Sequence, residues 1–410
     1  DRSYVYMNSN IQLPGFEEVI ILKSEVRGGT YILHVECPVT PHTCPACQEK
    51  TIRIHDYRWT KLKHLKVMER MTTIFYRKRR YRCHCGKRFA EKNTFVDRYQ
   101  RFTKEWNGQS QIRAIKAKSF KEVAMQYGTS ISTIIRRFDQ IVPKEMKGPK
   151  ALPKAIAIDE FKGNAGGNKF QLIVADAETR EPLDVLPDRR KETIVAYLRE
   201  HGANVEIVVM DMSHAFRAAV QKALNKPIII ADRFHFVRYA YNAMDRVRMR
   251  VQKEWNDYDR KQVKQRRFVF FKKSDQLTEK DQWYLTRYFT LSDEMRVAYE
   301  VKEQFCRWFE QAKENGEENM RETKAGLYAF YEAVREAAIP EFGQMVKMLQ
   351  NWETEILNTF RFGYNNGFVE GLNNLTKVIK RNAFGFRRFD RMRAKVLLTH
   401  QYKQVGNFLG

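Results

Sequence analysis

Ala155-Ile156-Ala157-Ile158-Asp159-Glu160-Phe161 is an apolar run that ends on a carboxylate. A short apolar run bounded by polar residues reads as a strand buried on both faces. After the turn Gly163-Asn164-Ala165-Gly166-Gly167-Asn168, a second strand is expected over Phe170-Gln171-Leu172-Ile173-Val174-Ala175, and a third near Leu183-Asp184-Val185-Leu186. The glycine-rich turn joins two strands, not a strand and a helix, so it is not a nucleotide-binding loop. Beyond it the pattern alternates: a helix over 190–200, with Ile194, Tyr197 and Leu198 apolar, a strand over 205–210, a helix over 214–224 and a strand over 227–231. Three hairpin-linked strands followed by alternating units predict a mixed sheet covered by helices.

Ile207-Val208-Val209-Met210-Asp211 repeats the opening pattern, an apolar strand closed by a carboxylate. A third carboxylate stands in Asn366-Gly367-Phe368-Val369-Glu370-Gly371-Leu372-Asn373-Asn374-Leu375-Thr376-Lys377-Val378-Ile379-Lys380-Arg381. There Phe368, Leu372, Leu375 and Ile379 recur at helical spacing, and Asn366, Glu370, Asn373 and Lys377 fall on another face. A lone Glu on such a face is ordinarily solvated, and an Asp at a strand end is ordinarily a turn or cap residue. Taken together, Asp159, Asp211 and Glu370 are expected to meet and hold metal. Carboxylates suit magnesium or manganese. Two such ions about 4 Å apart activate an attacking oxygen and stabilise a leaving one in phosphoryl transfer.

The 410 residues carry a formal net charge of +25 and are 43% hydrophobic. That length predicts two or three domains, and that charge predicts a polyanionic partner, nucleic acid. The sequence shows no apolar run long enough for a membrane span and no signal-peptide pattern, so a soluble, cytoplasmic protein with no membrane partner is expected. Five of the six cysteines lie in the first quarter. Cys44-Pro45-Ala46-Cys47 and Cys83-His84-Cys85, joined by a basic, strand-like stretch, can supply four thiolates to a structural zinc ion. Cys37, His42 and His84 are substitute ligands, and Cys306 reads as a packing residue. Tyr31 to Glu36 alternates as a strand does. Residues 103–141 read as three helices. Phe120, Val123, Ala124 and Tyr127 precede Gly128, and Ile131, Ile134, Ile135 and Phe138 follow it, in helix-turn-helix proportions. Ser130, Ser132, Thr133, Arg136 and Arg137 are expected to face a major groove. Pro143, Gly148, Pro149 and Pro153 punctuate a linker. About 120 charged, helical residues follow Asp232-Arg233-Phe234-His235, which closes the last strand; Val301, Phe305, Trp308 and Phe309 mark their buried face. Residues 381–389 are basic and aromatic, suited to nucleic acid or to core packing.

The strand order, the three carboxylates, Cys44-Pro45-Ala46-Cys47, Arg79-Arg80-Tyr81-Arg82-Cys83, Ala231-Asp232-Arg233-Phe234-His235 and Asn366 to Asn374 together resemble DDE transposases with an RNase H-like core, more narrowly the ISL-three group of bacterial insertion-sequence transposases. Cys83-His84-Cys85 departs from that pattern, in which two residues separate the cysteines. The resemblance implies a zinc-binding N-terminal domain (1–100), a helix-turn-helix domain (101–148), an RNase H-like core in two parts (154–235 and 361–410) and an α-helical insertion (236–360). It implies that the protein binds the terminal inverted repeats of its element, cuts there and joins the 3′ hydroxyls to target DNA. Asp159, Asp211 and Glu370 would hold two magnesium or manganese ions, with Asp232 and His235 supporting. Asn373, Lys377, Lys380, Arg381 and Arg387 would contact double-stranded DNA, and a homodimer would hold two ends in a synaptic complex. A structure-specific nuclease with the same carboxylates, or a zinc and helix-turn-helix transcriptional regulator without catalysis, are the rival readings.

Overall fold

The computed structural model describes residues 16, 19–146, 148 and 151–406. The first 15 residues of the expected zinc domain, and Pro149 of the expected linker, lie outside them. The chain divides into two compact units, Asp1–Lys147 with Gln401–Gly410, and Gly148–His400.

In the first unit, β1 (Ile20–Arg27), β2 (Thr30–Glu36), β3 (His42–Thr43), β4 (Lys50–Thr51), β5 (Ile54–Val67), β6 (Arg70–Arg82) and β7 (Arg88–Ala90) precede three helices. The main sheet runs β1-β2-β6-β5, with β7 against β6, and β3 and β4 form a separate hairpin. One face buries Leu33, Val35, Leu62, Ile74 and Tyr76 against Phe16 and Phe95. Much of the basic stretch before Cys83 is not solvated. Arg79 is 2% exposed and pairs with Glu36 at 3.0 Å and with buried Glu91 at 3.5 Å, while Tyr81 is wholly buried. The helices are α1 (Lys104–Lys116), α2 (Phe120–Gln126) and α3 (Ile131–Glu145), each capped by a hydroxyl: Thr103, Ser119 and Ser130. Pro143, expected in the linker, lies inside α3. It stands in the last turn, where its missing N–H removes a single hydrogen bond.

The second unit opens with β8 (Ala155–Phe161), β9 (Gln171–Asp176), β10 (Pro182–Leu186), α4 (Lys191–His201), β11 (Ile207–Met210), α5 (His214–Ala223) and β12 (Ile228–Ala231). The sheet order is β10-β9-β8-β11-β12. The first three strands are antiparallel neighbours, and β8, β11 and β12 are parallel. This is the expected mixed, RNase H-like sheet. A Cβ on Gly163 in the β8–β9 turn would stand 1.9 Å from Gln171 Oε1, so a larger residue there would displace the Gln171 side chain. Asp232 to His235 does not close the last strand, as the sequence suggested. Asp232 is the N-cap of α6 (Arg233–Val251), its carboxylate accepting from Phe234 N–H.

Six helices follow: α7 (Asp257–Gln265), α8 (Glu279–Leu291), α9 (Asp293–Asn315), α10 (Met320–Ala337), α11 (Pro340–Asn351) and α12 (Glu353–Phe362). Their apolar faces share one continuous core with the sheet, running from Leu172 and Val208 through Phe236 to Phe305, Trp308 and Phe360. Cys306 is buried, as expected. The outer edge of β12 is satisfied by α12: Asn358 Nδ2 donates to Ile229 O at 2.9 Å and Thr359 Oγ1 to Ala231 O at 2.7 Å. Edge strands left open invite other chains, and here a helix covers the edge. Finally come α13 (Gly367–Asn382) and α14 (Phe389–Gly406).

Candidate active site and metal centre

Three parallel strands run in register. Met210 pairs with Ile158 on one side and with Ala231 on the other. Asp159, inside β8, and Asp211 and Asp232, just past β11 and β12, are the next residues, so three carboxylates stand in a row towards the carboxyl ends of adjacent strands. Such ends are where open α/β sheets place their sites. The sequence had suggested only a supporting place for Asp232. Its signal was already present: Ile228-Ile229-Ile230-Ala231-Asp232 is the third apolar run closed by Asp.

His235, one turn into α6, points back at this row. Its Nε2 lies 3.0 Å from Asp211 Oδ1 and 3.7 Å from Asp232 Oδ2. Ligand atoms of Asp211, Asp232 and His235 all fall within 4.8 Å of one another. Burial, with the Asp211 charge added, pushes the Asp159 carboxyl up to about 7. Burial also raises Asp232. The Asp211 carboxylate at 3.0 Å holds the His235 imidazolium protonated to higher pH than usual. Crowded carboxylates that resist ionising together are a donor set that a divalent cation relieves. The residues fit a hard cation.

Helix α13 docks on the end of β8 through its amides. Asn373 Nδ2 donates to Asp159 Oδ2 at 2.6 Å, and Asn366 Nδ2 reaches Ile158 O at 3.5 Å. Here the sequence reading needs correction. Asn366 and Asn373 were placed on the polar face and Asn373 among the DNA contacts, yet they are 3% and 4% exposed. They face inward because Asp159 and the strand carbonyl offer buried partners that no apolar side chain could satisfy. Glu370 is exposed in the first turn of α13. It stands three residues before Asn373, on the same side of the helix. The helix that carries Glu370 is therefore brought to Asp159, while Glu370 itself lies outside the close cluster of Asp211, Asp232 and His235.

In the first unit the two cysteine pairs converge. Cys44 Sγ is 3.7 Å from Cys85 Sγ, and Cys47 Sγ is 3.4 Å from Cys83 Sγ. A tetrahedral zinc ion with bonds of about 2.3 Å separates its sulfurs by about 3.8 Å. Each pair sits on a tight turn: Gln48 N–H donates to Cys44 O, and Gly86 N–H to Cys83 O, with Gly86 at φ +83°. That turn lets Cys85 reach the cluster despite the short spacing. Cys37 instead approaches Tyr76 OH at 3.6 Å, and His42 Nδ1 lies 2.9 Å from Thr40 O. His84 Nδ1 lies 3.5 Å from Cys83 Sγ but is not part of the four-cysteine cluster.

A family model described as a transposase matches residues 156–396. The chain belongs to the ISL3 family of transposases. A zinc-finger model of transposases of the IS204/IS1001/IS1096/IS1165 elements matches residues 40–86, and a model of the helix-turn-helix domain of transposase family ISL3 matches residues 91–142. Among characterised relatives, the transposase for insertion sequence element IS1001 of Bordetella parapertussis is 24% identical over 370 residues, 88% of this chain and 89% of that one. The transposase for insertion sequence element IS1557 of Mycobacterium tuberculosis is 22% identical over 276 residues, 60% of each chain. A match to an ATP-dependent protease of Lactococcus lactis, 36% identical, spans 63 residues and 15% of this chain, too short to speak for its activity.

This transposase thus carries a DNA-binding helix-turn-helix and a four-cysteine structural zinc site. Among the described residues no helix is long and apolar enough to cross a membrane. The outward set expected on α3 divides. Ser132 and Arg136 are exposed, and Ser130, also exposed, spends its Oγ on the Thr133 N–H as the helix cap. Thr133 is buried, its Oγ1 2.9 Å from Ser130 Oγ, and so does not face a groove. Arg137 is half-buried, donating to Gln100 Oε1 at 3.2 Å with its guanidinium over the Phe102 ring. On α13 and beyond, Lys377, Arg381 and Arg387 are exposed, whereas Lys380 donates to Lys162 O at 2.5 Å.

Proposed function

We propose that this transposase binds the terminal inverted repeats of its own element, cleaves there and joins the freed 3′ hydroxyls to target DNA, with Asp159, Asp211 and Glu370 as its metal-holding carboxylates. The observation that carries this reading is the Asn373–Asp159 hydrogen bond at 2.6 Å, which ties the Glu370 helix to the strand end beside Asp211. Magnesium or manganese bound there would activate an attacking oxygen and neutralise a leaving one. The chain's own part is to hold these carboxylates in line. Asn373 fixes one Asp159 oxygen, and Glu160 N–H fixes the other at 2.8 Å. His235 orients Asp211, and Asp232 supports His235 from below while capping α6. The zinc module and Arg136 of α3 supply recognition of the ends, and the lysine and arginine side chains along α13 hold the backbone of the DNA. Two copies of the chain would hold two ends in one synaptic complex.

The test is a magnesium-dependent assay on labelled duplexes carrying the element's ends, with a plasmid as target. Wild type should cut and join, while Asp159→Asn and Glu370→Gln should bind and do neither. Cutting without joining would replace transposition with hydrolysis. Full activity of Glu370→Gln would remove Glu370 from the site.

A further inference from the structure

Phe384 is 92% exposed, and the next most exposed ring of its unit, Tyr258, is 65% exposed. It stands directly beyond α13, the helix of Glu370. Its φ is +54°, and that of Gly385 is +92°. Bulky side chains rarely adopt the left-handed region, and helices that end this way usually place glycine there. The loop is nevertheless well held. Phe384 N–H donates to Arg381 O at 3.1 Å and Gly385 N–H to Lys380 O at 2.9 Å. Lys380 Nζ reaches Lys162 O, Gly166 N–H donates to Arg387 O at 3.2 Å, and Phe386 is buried. Gly166 lies so close that a Cβ on it would stand 2.9 Å from Phe389 Cβ. The ring is thus exposed by a firmly anchored backbone that turns it outward.

The chemistry around the ring selects its partner. Lys377, Arg381, Arg387 and Arg388 are exposed on either side of it, and between residues 371 and 390 the one carboxylate is Asp390. A flat apolar ring set among cations suits the stacked bases and phosphates of DNA. Aromatic rings stack on bases with little regard to sequence, and apolar wedges inserted at a base step unstack it and kink the duplex. We propose that Phe384 inserts at, and opens, one base step of the DNA bound along α13. This rests on the transposase reading for its substrate, and on Glu370 for where the scissile phosphate lies. The twelve residues from Glu370 to Asn382 span about 18 Å of helix, and two more carry the chain to Phe384, about 21 Å in all. At 3.4 Å per base along a strand, that places the opened step within about six base pairs of the scissile phosphate.

The experiment uses the full chain and end duplexes in which single 2-aminopurines occupy successive positions, with calcium in place of magnesium so that the DNA stays intact. Wild type should raise the fluorescence several-fold at one position within that window. Phe384→Ala should lose the rise while binding within about threefold of wild type by anisotropy, and Phe384→Trp should keep it. An unchanged rise with Phe384→Ala overturns the proposal, as does a bound duplex in which no position brightens. Loss of self-association by Phe384→Ala without DNA, in sedimentation, would also overturn it, by making the ring a protein contact. Cleavage is scored separately with magnesium. A protein that cuts but opens no step refutes the wedge alone, and one that opens the step through Phe384 but never cuts refutes the cleavage reading alone.

Discussion

Replacing Asp159 with Asn should make the metal-free protein more stable at alkaline pH, although it removes activity. The Asp159 carboxyl is raised from its ordinary 3.8 to about 7, first by burial and then by Asp211. Below pH 3.8 the folded and unfolded chains both keep the proton. As pH rises from 3.8 towards 7 the unfolded chain releases it while the folded chain retains it, so the folded state is progressively penalised, and above 7 the penalty is complete. The difference of about 3 units corresponds to about 4 kcal/mol. Asn carries no charge and escapes this. Its one oxygen can accept from Glu160 N–H or from Asn373 but not both, which forfeits about 1 kcal/mol. The net gain is about 3 kcal/mol at pH 8, or a rise in the melting temperature of roughly 6–12 °C for a unit of this size. At pH 4 the advantage should vanish. Calorimetry of both proteins in chelator, at pH 4, 6 and 8, measures it, and added magnesium should raise the melting temperature of the wild type only. A variant that melts below wild type at pH 8 in chelator, or a difference that does not change with pH, would refute the reasoning.

His64 is buried against Phe16, with Nδ1 2.9 Å from Thr103 Oγ1, and burial lowers its pKa from 6.5 to about 4. The unfolded chain therefore takes up a proton first, and stability present above pH 6.5 is lost as pH falls towards 4, by about 3 kcal/mol in total. Relative to His64→Gln, wild type should weaken by that amount between pH 7 and pH 4, read by denaturant titration; a constant difference would discount the burial. Cys85→Ser should lower zinc content and the melting temperature of the first unit together, as metal analysis and calorimetry will show, whereas Cys37→Ser should change neither. Arg136→Ala should weaken DNA binding and flatten its salt dependence, while Arg137→Ala, which loses Gln100 and Phe102, should act mainly on stability. Equal effects of the two on binding, with neither changing the melting temperature, would contradict this division.

The mixed sheet was legible in the sequence because its central strands are buried on both faces. Ile156 to Ile158, Ile207 to Met210 and Ile228 to Ala231 are uniformly apolar, and each stops at an Asp. Helix type and order followed from periodicity. The inward turn of Asn366 and Asn373 was not legible. An amide is buried only where a partner waits, and the partners, Ile158 and Asp159, lie over 200 positions upstream. Thr133 was misread for a related reason: its hydroxyl meets the Ser130 cap locally, and that satisfaction lets a polar side chain go under. The helices after Asp232 were expected as an α-helical insertion. Their sharing of one core with the sheet depends on contacts such as Phe236 with Phe360, which no local pattern encodes.

Asp232 belongs to two structures at once. It stands in the carboxylate row, and it caps α6, whose nineteen residues make a rod about 28 Å long. Any event that changes the charge of the row, such as arrival of a cation or of a phosphate, acts on the same carboxylate that anchors the start of that rod. The helix passes through the core shared by the sheet and the later helices. The residue that starts the helix is thus one of the residues of the chemical centre itself.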